Sequence, residues 1–172
     1  MDNRRRLFVA SCAALVANAM AFSLCTDIMG DFERDFALTK EQVGQAVGWG
    51  GLGGVAAIFV GGALLDAIGM GRALWLAFVC HLAGIGTVIF AGGFWTLFLG
   101  WLFLGVAGGL VEAAINPLAA TTYPDQKTHM MNVLHAWWPG GLIIGGLLGY
   151  ALTKGLGLDL KTATTAALSA GW

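Results

Sequence analysis

Long apolar runs separated by short polar breaks dominate the pattern of this sequence. Five runs reach the length of about 20 residues that a helix needs to cross the hydrocarbon core of a bilayer. They cover residues 7–29, 43–65, 73–94, 97–121 and 131–152. Because lipid offers no hydrogen-bond partner to the backbone, each run is expected to be helical. The pattern therefore predicts an all-α integral membrane protein with five transmembrane helices.

The polar breaks indicate where these helices begin and end. Thr39 followed by Gln42 has the spacing of a capping box and predicts the start of the second helix. Other breaks lie at 66–72, 92–93 and 123–127. Residues 153–172 are too mixed to span a membrane, and we expect them to form a loop leading to a sixth helix that the sequence does not contain.

Composition supports a membrane location and excludes several functions. Charged residues make up 11% of the chain and hydrophobic residues 58%, whereas a soluble domain has about 25% charged residues. The net charge of -1 and the lack of a basic patch argue against nucleic acid as a partner. The three cysteines show no metal or redox spacing, so neither a metal nor a cofactor is predicted.

The basic residues predict the orientation of the chain in a cell membrane, inner or plasma. With the amino terminus inside, five basic residues are cytoplasmic (Arg4, Arg5, Arg6, Arg72 and Lys127) and four are outside (Arg34, Lys40, Lys154 and Lys161). The three arginines directly precede the first helix, which usually dominates orientation. They also resemble the start of a secretory signal, but the long apolar run favours an uncleaved helix. We expect a cytoplasmic amino terminus.

Polar residues inside the apolar runs are the candidates for a functional site, because a charge at the bilayer centre costs roughly 2.5–3.5 kcal/mol. Glu112 and Asn116 are four residues apart and share one helix face. At 1.5 Å per residue, Asn18 and Glu112 both lie about 15 Å from the cytoplasmic edge. Equal depth predicts a shared cavity for solute or proton binding. The alternative is a structural carboxyl group, protonated or bonded to Asn116, that holds helices together.

Aromatic and histidine residues extend this candidate site. His135 could bind a solute or a proton, and Trp138 could stack on a solute, although both could equally belong to an interfacial aromatic belt. Trp49 could face either the cavity or the lipid. His81, in the middle of the third run, is expected to be a packing histidine.

Glycines recur in the second and fifth runs. They occur at 50, 51, 53, 54, 61 and 62, and again at 141, 145 and 149. Small residues at such spacings allow helices to approach closely in membranes. The pattern predicts tight helix packing along these two runs.

Three motifs resemble the major facilitator superfamily. Residues 62–72, with Gly62, Asp66, Gly69 and Arg72, resemble its signature loop G-x-L-x-D-x-x-G followed by basic residues. Ala67 and Met70 depart from that pattern, since a basic residue is usual there. Residues 109–117 and 132–141 resemble the fourth and fifth helices of the sugar–proton symporters related to the fucose permease.

The resemblance implies the architecture of such transporters, with twelve helices in two six-helix bundles built from inverted repeats. This chain would correspond to five helices of the amino-terminal bundle and would require the carboxy-terminal bundle as a partner. The first and fourth helices would line the central cavity, and the third would be peripheral. The loop at 62–72 would act as a conformational switch.

The leading functional hypothesis is a secondary transporter that moves a sugar or similar small polar solute by alternating access, with proton coupling as an option. Asn116-Pro117 is similar to the Asn-Pro turns of water channels but occurs once, so a channel remains an alternative. A membrane assembly subunit without transport activity is another. An enzyme is not expected, since the sequence has no HExxH or GxSxG motif.

Overall fold

A computed structural model describes residues 3–152 of the chain, and these residues form helices and short turns without a β-strand. The helices are α1 (Asn3–Asp27), α2 (Met29–Asp35), α3 (Lys40–Ile68), α4 (Met70–Ile89), α5 (Phe94–Thr122) and α6 (Lys127–Tyr150). A 3-10 turn, Pro124–Gln126, precedes α6. This confirms the predicted all-α membrane fold. The loop predicted at 153–172 lies outside the described residues.

Four helical segments in the described part of the chain are long and apolar enough to cross a membrane. They are α1 together with α2, then α3, α4 and α5. The fifth predicted span coincides with α6, a helix of 24 residues. Helix α6 is not among these four, and its sequence includes two histidines, two tryptophans and Pro139. That α6 also crosses the bilayer remains our prediction.

The described helices begin or end a few residues from the predicted bounds, and two of the differences have a clear structural basis. The first run divides near Ile28, and the short helix α2 that follows was not predicted. The third helix ends at Ile89 and not at Phe94, which instead begins α5. The reason is the pair Gly92-Gly93, because glycine is a poor helix former. The Thr96 hydroxyl accepts a hydrogen bond of 2.9 Å from the Gly92 N–H and holds this turn.

The start of α3 has the predicted capping box. The Thr39 hydroxyl accepts a hydrogen bond of 3.2 Å from the Gln42 N–H, and the Gln42 side chain accepts one of 2.9 Å from the Thr39 N–H. Two of the amide groups that a helix start leaves unpaired are therefore satisfied. This prediction is confirmed.

Helices α1 and α6 pack as a parallel pair. Gly141 lies against Ala19, and Gly145 lies against Ser23, so contacts advance in the same direction along both helices. The Ser23 hydroxyl also donates a hydrogen bond of 3.1 Å to the Leu142 carbonyl. Small residues on α6 thus allow close contact with α1, as the glycine spacing predicts.

Helix α5 is the centre of the remaining bundle. It runs parallel to α3, where Gly50 faces Trp101 and Gly61 faces Ala113. On another side it packs antiparallel against α4 through close contacts of Gly84 and Gly100. The described chain thus forms two packed groups of helices, α1 with α6 and α5 with α3 and α4.

The backbones of α3 and α5 approach each other where both helices carry glycine. A Cβ atom added at Gly50 would lie 2.6 Å from the Trp101 carbonyl oxygen, and one at Gly105 would overlap the Gly50 carbonyl group. No side chain fits between these backbones. The predicted small-residue packing is confirmed for Gly50, Gly53, Gly54 and Gly61, whereas Gly51 and Gly62 meet nothing within 4 Å.

The turn that resembles the signature loop joins α3 and α4 at one residue. Gly69 has φ 81° and ψ 155°, a conformation open almost only to glycine. Its N–H donates a hydrogen bond of 2.9 Å to the Leu65 carbonyl, and its own carbonyl accepts one from Ala73. Asp66 and Arg72 are both exposed at this turn. The two helices therefore join through a sharp bend without an extended loop.

We expect Gly105→Ala to destabilise the bundle, because its methyl group would force α3 away from α5. Such overpacking costs about 1–3 kcal/mol. The free energy of unfolding in mixed micelles would measure the effect. Gly48→Ala is the matched control, since Gly48 lies in α3 and a Cβ there meets nothing within 4 Å. Equal stability of the two variants would contradict the packing described.

The turn generates a second prediction. Gly69→Ala should lower the stability by about 1–3 kcal/mol, because alanine is strained at this backbone conformation. Gly71→Ala is the control, as it lies two residues further, in the first turn of α4, and meets nothing within 4 Å. Thermal unfolding of both variants in the same detergent would compare them. A Gly69→Ala protein as stable as Gly71→Ala would show that the bend is not strained.

Candidate functional site: a cavity among five helices

A cavity of about 220 Å³ lies where α1, α3, α4, α5 and α6 meet. Three polar side chains from three helices line it, namely Asn18 of α1, His81 of α4 and Glu112 of α5. Three large aromatic side chains also line it, namely Phe22, Trp101 and Trp138. Glycines of α3 and α5 form much of the remaining wall.

One face of α5 forms the longest wall of the cavity. Trp101, Gly105, Gly108 and Glu112 all line it, and their spacing of three or four residues places them on one side of the helix. At 1.5 Å per residue this stripe extends over about 16 Å. Between a tryptophan at one end and a carboxyl group at the other, the glycines let the α3 backbone and Asn18 approach α5 closely.

The amide of Asn18 is held between α4 and α5. Its Oδ1 lies 3.0 Å from Nε2 of His81, and the other ring nitrogen of His81, Nδ1, lies 3.1 Å from the Ala77 carbonyl oxygen. On the α5 side the amide lies over Gly108, where a Cβ would come within 3.0 Å of Oδ1. Asn18 is only 6% exposed. The Asn18 amide thus contacts the His81 ring on one side and lies over Gly108, which has no side chain, on the other.

The aromatic side chains form a cluster on α1, α5 and α6. The rings of Phe22 and Trp101 meet edge to face with centroids 5.5 Å apart, and Phe22 and Trp138 lie 6.2 Å apart. Trp101 is 2% exposed, and its Nε1 has no hydrogen-bond partner among the described residues. A buried N–H without a partner costs about 1–3 kcal/mol.

Glu112 is half-buried in the cavity wall. Within residues 3–152 it forms neither an ion pair nor a hydrogen bond with Asn116. The Oδ1 atom of Asn116 is itself buried without a partner in this part of the chain. The Asn116–Glu112 hydrogen bond, one form of the structural alternative, is therefore absent from the described residues.

The structure brings together three of the six predicted solute- or proton-binding residues. Asn18, Glu112 and Trp138 line the same cavity, which agrees with the equal depth predicted for the first two. Asn116 lies one turn along α5 from Glu112 and does not line the cavity. There α5 is packed through the buried residues Ile115 and Ala119.

Trp49 and His135 also lie outside the cavity, contrary to their prediction as binding residues. Trp49 is 53% exposed and packs edge to face on Phe98. Its neighbour Gly50 is the residue that faces α5, so Trp49 is turned by about 100° around α3. His135 is exposed for the same reason, because the adjacent Leu134 occupies the buried face of α6.

Three cavity residues were missed from the sequence. His81 was expected to be a packing histidine, and both of its ring nitrogens do have partners, but it also lines the cavity. Its depth was a usable signal, since it lies about 14 Å beyond Arg72 along α4. Phe22 and Trp101 carried no comparable signal, because aromatic residues are common throughout the apolar runs.

Chemically, the cavity can hydrogen-bond a small polar molecule and pack against its apolar face. A carboxyl, an amide and an imidazole group offer donors and acceptors, and tryptophan offers a large flat surface. Among the described residues no group of three His, Cys, Asp or Glu could hold a metal ion. A mostly apolar cavity with a few polar groups is typical of small-molecule sites in helix bundles.

Comparison with known proteins identifies the family of the chain. The family model described as Major Facilitator Superfamily matches residues 7–172. Comparisons with curated proteins and with solved structures gave no significant match. The family match and the long apolar helices make the chain a multi-pass membrane protein, whose partners are the lipid bilayer and a small solute. Since the match covers nearly all of it, the chain belongs to the major facilitator superfamily, whose members are secondary transporters and not enzymes.

Proposed function

We propose that this chain forms the amino-terminal cavity wall of a transporter that moves a sugar or a similar small polar solute together with a proton. The observation that carries the proposal is the convergence of Asn18, His81 and Glu112 with an aromatic cluster in one cavity. Each polar group is costly inside the bilayer. A polar solute in the cavity would supply a partner for Glu112 and a further partner for Asn18.

A sugar suits both parts of this cavity. Its hydroxyl groups can donate to Glu112 and exchange hydrogen bonds with Asn18. Its C–H faces can pack on an aromatic ring. Sites for drug-sized ligands measure about 300–1,000 Å³, so a cavity of about 220 Å³ fits a smaller solute.

Glu112 is the proposed proton carrier. A carboxyl group accepts hydrogen bonds when ionised and gains a donor when protonated. Moving it through the bilayer region costs less in the neutral form. A conformational change that exposes the cavity alternately to the two sides would therefore be favoured with the proton bound. This links proton binding to solute movement.

Alternating access further requires a second bundle against which this one can move. In the proposed mechanism that bundle closes the open side of the cavity. The segment 62–72, which contains Gly62, Asp66, Gly69 and Arg72 and bends at Gly69, is the proposed switch region. It joins α3, which lines the cavity, to α4, which carries His81. Movement at Gly69 would change the relative position of the two helices.

We expect Glu112→Gln to abolish pH-dependent uptake of the transported sugar and to lower its rate. Replacing a charged hydrogen-bond partner costs about 1.5–3 kcal/mol, which corresponds to roughly a 10- to 100-fold loss. Uptake of a panel of labelled hexoses and pentoses, by cells that express the gene encoding this chain, would measure it. Glu41→Gln, at the exposed start of α3, is the control and should behave like the wild type.

Three outcomes would contradict parts of this proposal. Unchanged pH-dependent uptake in the Glu112→Gln variant would remove the proton role. Solute flux that does not saturate would favour a channel. Loss of stability in Glu112→Ala without any sugar flux in the wild type would favour an assembly subunit.

The proposed location is the cell membrane with a cytoplasmic amino terminus. In a chain whose three cysteines are replaced by alanine, Lys40→Cys should react with a membrane-impermeant maleimide added to intact cells, and Gln126→Cys should not. Both positions are exposed and lie outside the switch region. Inverted vesicles should reverse the result. Labelling of both positions from one side would disprove the orientation of these helices.

A further inference from the structure

The direction of the hydrogen bond between His81 and Asn18 depends on which ring nitrogens of His81 carry a proton. We propose that His81 binds a proton within the cavity and that its protonation state sets which atom of the Asn18 amide is offered to the solute. For its effect on the solute this inference rests on the proposed function. The coupling of the two side chains does not depend on transport.

The position of the first ring proton follows from the backbone. Nδ1 of His81 lies 3.1 Å from the Ala77 carbonyl oxygen. A carbonyl oxygen can only accept, so Nδ1 must carry a hydrogen. This holds for the neutral ring and for the imidazolium alike. Nε2 is therefore the nitrogen that gains or loses a proton.

The partner of Nε2 must change its role with that proton. A neutral ring with a hydrogen on Nδ1 has an acceptor at Nε2, and it requires the NH₂ group of Asn18. An imidazolium has a donor at Nε2, and it requires the amide oxygen. The observed contact of 3.0 Å joins Nε2 to Oδ1, which is the pairing that the imidazolium needs. A half-turn of the amide provides the other pairing.

The half-turn changes the chemistry of the cavity wall. Whichever end of the amide is not bound to His81 is left for a solute. A neutral His81 leaves the carbonyl oxygen of Asn18, which accepts from a hydroxyl group, and a protonated His81 leaves the NH₂ group, which donates. A Cβ atom added at Gly108 would lie 3.0 Å from Oδ1 and 3.1 Å from Nδ2 of Asn18. Its lack of a side chain leaves the space in which the amide can turn.

The other charged groups near this pair are few. Glu112 of α5 is the other titratable side chain of the cavity lining, and α1, α3 and α6 contribute no charged residue to that lining. On α6, His135 is exposed and outside the cavity, and on the turn before α4, Asp66 and Arg72 are exposed. An ionised Glu112 would favour a proton on His81. The charge of Glu112 is therefore the one to vary in a test.

The test is a titration by NMR of the 172-residue chain with ¹⁵N-labelled histidine in micelles, without any solute. His129→Gln and His135→Gln assign the signals of the three histidines. We expect Nδ1 of His81 to remain protonated throughout, while Nε2 gains a proton as the pH falls. The side-chain NH₂ signals of Asn18 should change with the same midpoint. Glu112→Gln should move that midpoint to lower pH.

A substitution at the partner sharpens the test. Asn18→Asp offers only acceptors to Nε2, so it should raise the midpoint of His81 by about one pH unit or more, as an adjacent opposite charge does. Two results in the unsubstituted chain would overturn the proposal. One is a neutral His81 with its hydrogen on Nε2, and the other is a set of Asn18 NH₂ signals that do not change with pH. Because this readout needs no transport, a failed uptake assay would count against the proposed function alone.

Discussion

The contact between the backbones of α3 and α5 is the constraint on which the rest of the structure depends. At Gly50 and Gly105 the two helices leave no room for a side chain. In lipid, where burial of apolar surface provides little drive for association, close packing of small residues replaces it. The same glycines also line the cavity. One set of residues thus holds the helices together and also forms part of the cavity wall.

The polar groups of the cavity depend on that space. Asn18 reaches its position because Gly108 has no side chain, and His81 of α4 reaches Asn18 because α4 packs closely on α5 through Gly84 and Gly100. The polar side chains therefore come from helices on different sides of α5. Their convergence in an apolar bundle distinguishes this site from the surrounding packing, since each polar group there requires a partner. The chain belongs to a family of solute transporters, and a bound small solute would supply such a partner.

Much of the fold and part of the site could be predicted from the sequence. The helices, the capping box at Thr39 and the shared depth of Asn18 and Glu112 all follow from hydropathy and from the fixed rise of a helix. The rotation of each helix did not follow. Trp49 and His135 were candidates for the cavity and lie outside it, because each is next to a residue, Gly50 or Leu134, that occupies the packed face. In helices surrounded by lipid, both faces are apolar, so the sequence pattern carries little information about rotation.

The sequence by itself determined that this chain is a bundle of membrane helices with a costly carboxyl group at a known depth. Those properties depend on residues along one helix at a time. Only the tertiary structure decided that His81 meets Asn18, that Trp101 and Phe22 join the cavity, and that Asn116 stays out of it. The reason is that such contacts depend on how neighbouring helices are rotated and how closely they approach. Glycine permits a close approach of two helices, but it does not determine which residue of the neighbouring helix lies against it.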